Sequence, residues 1–498
     1  MDRFHTGRWT VRWISSFSRF VSPALLAAML TVAIGSAALF VKPYVGMADN
    51  GDFYRILYGN GLYFNAPDYD GQYFGYFVRQ YGIMQYFNDN EAALLSSQSL
   101  FIRIAVWLNK LLYSPHVFDI RAQGALYLAL YTSAVYLLVE SVTWKMPRKP
   151  GYFVALIAVF MFGDTGYTAY FHSFYGEAVV LIMTMLLAAS GLLLCRGRYN
   201  DYAMLALFAV SALLLTAAKQ QNAPVGVIAG VMGLPLLLIR RKAFRVTAGA
   251  SLALLLLTGI AVYALIPQEF VNINQYHAMT RGPLLTSGNP EAALAAFGID
   301  EQYAILAGSI YYELYTTVDV QSPILDQSFY GRYGFLPILG YYLAHPAQAV
   351  DMLQLAARHA FTIRPEAMGS FELAAGKPFG EHARFFTGYS ELKQALWPKT
   401  IGFVAIWALA AIGFYAPSFM AAVKSKNMRA AMKLPLVVMI ILIGLSSMAV
   451  SIIGAGDADL SKHEFLFTVT FDLILFAGLA DVIRSRTRAR ERKGGGEG

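Results

Sequence analysis

The sequence predicts an all-α polytopic membrane protein of about ten transmembrane helices, and three observations carry that prediction. The first is composition: 57% of the 498 residues are hydrophobic and only 14% are charged. A water-soluble domain with that balance would expose large apolar patches, whereas lipid is a solvent such side chains tolerate. The second is the length of the apolar runs, which in a bilayer must satisfy their own backbone hydrogen bonds and so form helices. The third is the placing of basic residues, which gather in the short connectors on one side of those runs.

In chain order the runs are Ser22–Val41, Ala122–Val142, Gly151–Ala169, Ala178–Leu194, Ala203–Ala217, Pro224–Ile239, Val246–Ile266, Thr400–Val423, Leu434–Ile453 and Phe465–Ile483. The first is too long for a signal-peptide core and lacks a small-residue cleavage site, so it is expected to remain as an anchor. Positive charge gathers at Lys145, Arg148 and Lys149, at Arg196 and Arg198, at Arg240, Arg241, Lys242 and Arg245, and from Lys424 to Lys433. Arg3, Arg8, Arg12 and Arg19 near one end, and the basic tail 484–498 at the other, join the same side. The positive-inside rule makes that side cytoplasmic, with both termini on it, in a cell inner membrane. Most of the 39 Lys and Arg but few of the 31 Asp and Glu then lie inside. The high pI of about 9.2 is therefore a topology signal, and no nucleic-acid partner is needed to explain it.

Two segments on the other side are too long to be connectors, 43–121 and 267–399, and long loops on a rigid scaffold carry function. In the first, Glu91–Leu112 repeats Leu94, Leu95, Ile102, Ala105, Leu108 and Leu112 at helical spacing, interrupted by Arg103 and Lys110. That pattern predicts a helix lying along the outer leaflet. The second shows short helical patterns at Pro290–Thr316 and Pro346–Ile363. Both segments are rich in Tyr and Phe, which suits an interfacial aromatic belt better than an independent domain.

Chemistry concentrates where the runs meet these segments. Asp49-Asn50-Gly51-Asp52 follows the first run, with Arg55 close behind. Two carboxylates flanking an Asn-Gly turn converge on one point and can take a proton from a hydroxyl or bind a cation; a helix cap is the ordinary alternative. Asp68 and Asp70 form a second acidic turn. His172 and Glu177 stand at the head of the fourth run, where an ionisable group is costly unless used or paired. Lys219 and Gln220 occupy a short turn at headgroup depth, where an ammonium either contacts phosphate or merely snorkels. Asp457, Asp459, Lys462 and His463 crowd the last outer loop. Asp472, inside the last run, is the one acid in the spans that suggests a proton relay. Cys195 stands alone, so no disulfide framework forms, and no nucleotide-binding, zinc-protease or serine-hydrolase motif is present. A divalent cation is possible, but its ligands are not defined by the sequence.

An acidic motif at the end of the first helix, followed by a long outer segment with a membrane-parallel helix, resembles the GT-C superfamily of membrane glycosyltransferases. Ala48 to Arg55, His172 to Glu177 and Asp457 to His463 are similar to stretches of bacterial cell-surface-glycan hexose transferases within it. The resemblance spans nearly the whole chain. It implies transfer of a sugar from a polyprenyl-phosphate donor to a cell-envelope glycan or lipid-linked acceptor, at the outer or periplasmic face of the bilayer. It implies Asp49 or Asp52 as general base, with inversion at the anomeric carbon. Lys219 would hold the donor phosphate, with Arg55 or His463 as alternatives. Many members carry a large carboxy-terminal soluble domain; without it, acceptor recognition falls to 267–399. Two other classes fit a charged bundle: a transporter or flippase, and a non-catalytic assembly protein for envelope glycans. Against transport, no two halves carry matched helix breaks.

Overall fold

The computed structural model describes residues 21–90, 95–240, 242–266, 268–313 and 315–494. Arg3, Arg8, Arg12, Arg19, Glu91, Leu94, Arg241, Pro267 and the tail beyond residue 494 lie outside the described residues. The helices that place the site are α1 (Pro23–Phe40), α2 (Gln98–Leu112), α3 (Arg121–Thr143), α4 (Arg148–Phe162), α5 (Glu177–Arg196), α6 (Asp201–Thr216) and α7 (Ala223–Met232). They continue with α8 (Ala243–Ala264), α9 (Phe335–Ala344), α10 (Gly388–Leu396), α11 (Ile401–Lys424), α12 (Lys433–Ala455) and α13 (Phe465–Gly494).

Local chemistry sets the ends of these helices. Ser22 caps α1, its Oγ accepting from the Leu25 amide at 3.1 Å, with Pro23 in the first turn where no amide is needed. Asn200 caps α6 through the Tyr202 and Ala203 amides. Thr400 caps α11.

Among the described residues, eight helices are long and apolar enough to cross a membrane, or up to nine if one bent pair is a single span. The ten expected runs are all helical, and two of them are not single long helices. The third expected run is α4 followed by Thr165–His172, with a 50° bend between them. The fifth is α6, whose 16 residues reach about 24 Å, short of a bilayer core of roughly 30 Å. α5 is the central post: 89% of its most apolar window is buried, against 22% for α8 and α11, which face outward. Apolar residues on every side of α5 are what a helix enclosed by α3, α6 and α13 requires. The chain is a multi-pass membrane protein.

The basic connectors meet one another at one end of the bundle. Arg198 pairs with Glu140 at 2.7 Å, Arg240 and Arg429 both reach Asp201, and Lys433 and Arg196 reach Asp481. The described parts of segments 43–121 and 267–399 lie at the opposite end, where Asp52 and Arg281 pair with Lys462 and Asp457 of the last outer loop. Cysteines introduced at 147, 243 and 427 are accordingly expected to react only from the cytoplasm, and those at 60, 300 and 380 only from outside. Labelling of 300 and 380 from the cytoplasm would reverse the assignment of sides.

The first long segment is not purely helical. A small antiparallel sheet, β1 (Leu62–Tyr63), β2 (Gln80–Ile83) and β3 (Val117–Asp119), is ordered β1-β2-β3 with Tyr81 opposite Phe118. α2 carries two apolar stripes instead of one. Phe101, Ile102, Ala105 and Val106 are buried against the bundle, while Leu100, Ile104, Trp107 and Leu111 point outward beside Arg103 and Lys110.

In the second segment the aromatic residues are not mainly a belt. Tyr276, Tyr303, Tyr330, Tyr333, Tyr341 and Tyr342 are buried with Phe329 and Phe361 in a core of their own, which also takes Met448 and Phe471 from α12 and α13. α10 locks this segment to the bundle. Its Lys393 is buried and pairs with Asp472 of α13 at 2.7 Å, and the Asp472 carboxylate also accepts from Tyr167 and Tyr389 at 2.5 and 2.6 Å. Asp472 is a latch in this arrangement, with both oxygens occupied, and not an open relay.

Candidate active site

The turn after α1 is held by its own amides and by the second long segment. Gly46 and Ala48 donate to the carbonyls of Ser370 and Gly369, and Gly369 donates to Phe74 at 2.7 Å. A Cβ on Gly369 would lie 1.9 Å from the Gly75 carbonyl oxygen, so only glycine allows this crossing. Gly51 has φ +97°, which gives the Asn-Gly step its reversal.

Asp49 closes the turn. Its Oδ1 accepts from the Gly51 and Phe53 amides at 2.8 and 3.2 Å, and its Oδ2 from the Tyr69 hydroxyl at 3.1 Å. It is buried, and burial, only partly offset by those hydrogen bonds, pushes its carboxyl up to about 6. A carboxyl raised from 3.8 to about 6 on folding favours the folded state below 3.8, and that benefit is lost as pH rises through 6. Asn at 49 removes the titration and keeps an acceptor for both amides. Relative to Asp49→Asn, the wild type should therefore gain up to about 3 kcal/mol as pH falls from 7 to 4. Parallel unfolding midpoints for the two proteins check this; parallel pH profiles would contradict it.

Asp52 points the other way, into a cavity. Lys462 pairs with its Oδ2 and Arg55 with its Oδ1 at 3.2 Å. Burial alone would raise this carboxyl, but the charges of Lys462 and Arg55 outweigh burial and hold it well below the usual carboxylate range. Lys462 also reaches Asp459 at 3.3 Å and lies 5.0 Å from the centre of the Tyr175 ring. Asp459 sits in the left-handed region at φ +52° and accepts from the Asn50 amide side chain at 3.0 Å. The Tyr175 hydroxyl completes the knot, accepting from the Asn50 backbone amide and donating to the Ala48 carbonyl, both at 2.8 Å. Three separate outer loops thus fix Asp52 and Lys462.

The cavity has a volume of about 670 Å³. Asp52, Arg55, Glu177, Lys219, Lys462 and His463 line its polar end, and α7, α8, α9 and α12 supply apolar walls. Gln220 lines it as well. Lys219 neither snorkels nor stands free: it pairs with the buried Glu177, whose Oε2 has no hydrogen-bond partner. Removing Lys219 alone would strand a carboxylate, so Lys219→Met is expected to lower stability by roughly 3 kcal/mol or more. Adding Glu177→Gln should restore most of it, as thermal unfolding in detergent would show. His463 binds Gln221 through Nδ1 at 2.7 Å, and burial together with the Lys219 charge lowers it to about 4. Burial therefore disfavours its charged form, while its ring stays on the cavity wall.

Other expected residues do not converge here. Asp68 and Asp70 lie in an exposed turn in which Asp68 accepts from the Gly71 amide, and neither lines the cavity. His172 is buried behind the turn, its Nδ1 at 2.8 Å from the Val45 carbonyl and its ring stacked on Phe77. Asp457 is taken by Arg281 of the second segment at 2.5 and 3.0 Å. Asn50, Tyr175 and Gln221, which sequence reasoning did not single out as site residues, join the site only through contacts far apart in the chain. Glu464 follows His463 fully buried, with neither carboxylate oxygen hydrogen-bonded, and burial pushes its carboxyl far up. A resident divalent cation does not fit. Among the described residues no three His, Cys, Asp or Glu gather around one point, and the carboxylates of Asp49 and Asp52 are spent on amides, Tyr69, Arg55 and Lys462.

The family model of the YfdI N-terminal transmembrane domain matches residues 9–497. No curated protein matches the chain. Among solved structures it is similar to an archaeal oligosaccharyltransferase, AglB from Archaeoglobus fulgidus, in complex with an inhibitory peptide and a dolichol-phosphate. The identity is 10% and the TM-score 0.37, over 95% of this chain and 52% of that one, so the chain spans about half the length of that protein.

Proposed function

The chain belongs to the family of the YfdI N-terminal transmembrane domain, and from that premise we propose that it is a GT-C-type glycosyltransferase. It takes a sugar from a polyprenyl-phosphate donor and passes it to a cell-envelope glycan or lipid-linked acceptor at the outer face of the membrane. One observation carries this reading: a single cavity joins a charged end to an apolar groove between spans. A phosphate fits the first and an isoprenoid chain the second. At the charged end Arg55, Lys219 and Lys462 face the cavity with Asp52 and Glu177, and Lys462 also pairs with Asp459 behind it. A phosphodiester binds these cations by taking the place of a carboxylate partner.

The residues supply the chemistry in a definite order. While paired with Lys462 and Arg55, Asp52 is a weak base. A donor phosphate competes for both cations, and as they turn to it the carboxylate regains basicity where the acceptor hydroxyl arrives. The hydroxyl oxygen attacks the anomeric carbon, its proton passes to Asp52, and the bond from that carbon to the phosphate oxygen breaks. The products are the glycoside, with inverted configuration, and the polyprenyl phosphate. Lys462 and Arg55 neutralise the charge that grows on the leaving oxygen, so no general acid is needed. Asp49 shapes the turn and takes no part in proton transfer.

Purified protein in vesicles, supplied with a labelled polyprenyl-phosphate hexose and a membrane-glycan extract, tests the proposal. Label should move to the acceptor. Movement of intact donor across the bilayer without transfer would instead make the protein a flippase.

A further inference from the structure

Four cavity-lining residues are also on the molecular surface. Ile260 and Tyr263 of α8 are 54% and 50% exposed, and Leu336 and Leu339 of α9 are 70% and 37% exposed. A side chain that lines a cavity and is open to the outside stands at its mouth. The mouth lies on the flank of the bundle, since α8 presents its other outward residues, such as Leu257, along the same lipid-facing surface.

α9 belongs to the second long segment, yet its ten residues, Phe-Leu-Pro-Ile-Leu-Gly-Tyr-Tyr-Leu-Ala, carry no charge. One face, with Ile338, Tyr341 and Tyr342, is buried in the core of that segment. Leu336, Leu339 and Leu343 recur at helical spacing on the other, with Leu343 75% exposed. Its level is set by its neighbours across the cavity: Tyr263 and Ile266 at the end of α8, and Val450 to Ala455 at the end of α12. An uncharged helix with an open leucine stripe, held level with the ends of the spans, is suited to lipid and not to water.

We propose that α9 lies in the outer leaflet as one lip of a lateral opening, with the end of α8 as the other, through which the isoprenoid tail of a lipid phosphate passes into the bilayer. The inference rests on the cavity being a lipid-phosphate site. The occupant follows from the basic residues at the closed end, which take a phosphate, and from the apolar channel that leads from them to the lips.

Two measurements on the full chain in proteoliposomes test it. Spin labels are placed at Leu336→Cys and Leu343→Cys, with Asp300→Cys as aqueous reference, all in a Cys195→Ala background. The two α9 labels should collide with oxygen and be shielded from a polar nickel complex. Nickel accessibility equal to that at Asp300→Cys would overturn the proposal. Binding of farnesyl phosphate and of a long-chain polyprenyl phosphate is then compared between wild type and Ile260→Gln/Leu339→Gln. Polar lips should weaken the long-chain ligand by about tenfold and leave farnesyl phosphate within about twofold. Equal effects on both ligands contradict the opening while leaving the phosphate site standing. Failure of wild type to bind either ligand removes the phosphate site and the opening together.

Discussion

Asp52→Asn is expected to reduce sugar transfer by about a hundredfold or more, because the amide keeps the shape of the carboxylate but accepts no proton. What makes the result diagnostic is the companion measurement. Asp52 occupies Lys462 and Arg55 before any phosphate arrives, so removing its charge leaves each with one fewer carboxylate to compete with the phosphate. Binding of polyprenyl phosphate should therefore be unchanged or tighter while turnover collapses. A residue that merely supported the fold would lose both. Lys462 keeps Asp459 as a partner in the variant, so folding should survive. Full activity of Asp52→Asn would move the base elsewhere.

The largest effect on stability is expected at Lys393. Its ammonium and the Asp472 carboxylate are both wholly buried, and neither lines the cavity. Lys393→Met leaves a carboxylate in the bundle with only two phenolic donors, and breaking a buried pair in this way costs about 3–5 kcal/mol. Asp472→Asn should do similar damage by leaving the buried ammonium without a counter-charge, among neutral acceptors such as the Thr468 carbonyl at 3.1 Å. The double variant Lys393→Met/Asp472→Asn buries no net charge and still offers an acceptor to Tyr167 and Tyr389. It should recover most of the loss. Thermal unfolding of the three variants in one detergent checks the cycle, and additive losses in the double variant would contradict the latch.

What could be read from the sequence is what local chemistry determines. Apolar runs become helices whatever surrounds them, and the basic connectors that mark one side are found together in space. The Asp49 to Asp52 turn was visible because Asn-Gly forces a reversal within four residues. Lys462 and His463 were visible because charge placed directly before a span is costly unless it is used. The strands of the sheet, two to four residues long, leave no periodicity to detect. Composition could not separate belt tyrosines from core tyrosines, since both need the same amphipathic ring. Contacts between distant parts of the chain were hidden altogether: Tyr175 meets Asn50 across 125 positions, and Lys393 meets Asp472 across 79. Such pairings also decided which acid faces the cavity. Asp49 and Asp52 look equivalent in sequence, but Tyr69 and the turn amides claim one, and Lys462 and Arg55 the other.

A structure of the purified protein bound to a non-transferable phosphonate analogue of a polyprenyl-phosphate sugar addresses the central claim most directly. The phosphonate should lie within hydrogen-bonding reach of Arg55 and Lys462, with Asp52 released from at least one of them and facing the anomeric carbon. The isoprenoid chain should run along α7 and α8. Density for the headgroup at the opposite end of the bundle, among Asp201, Arg240 and Arg429, would contradict the account.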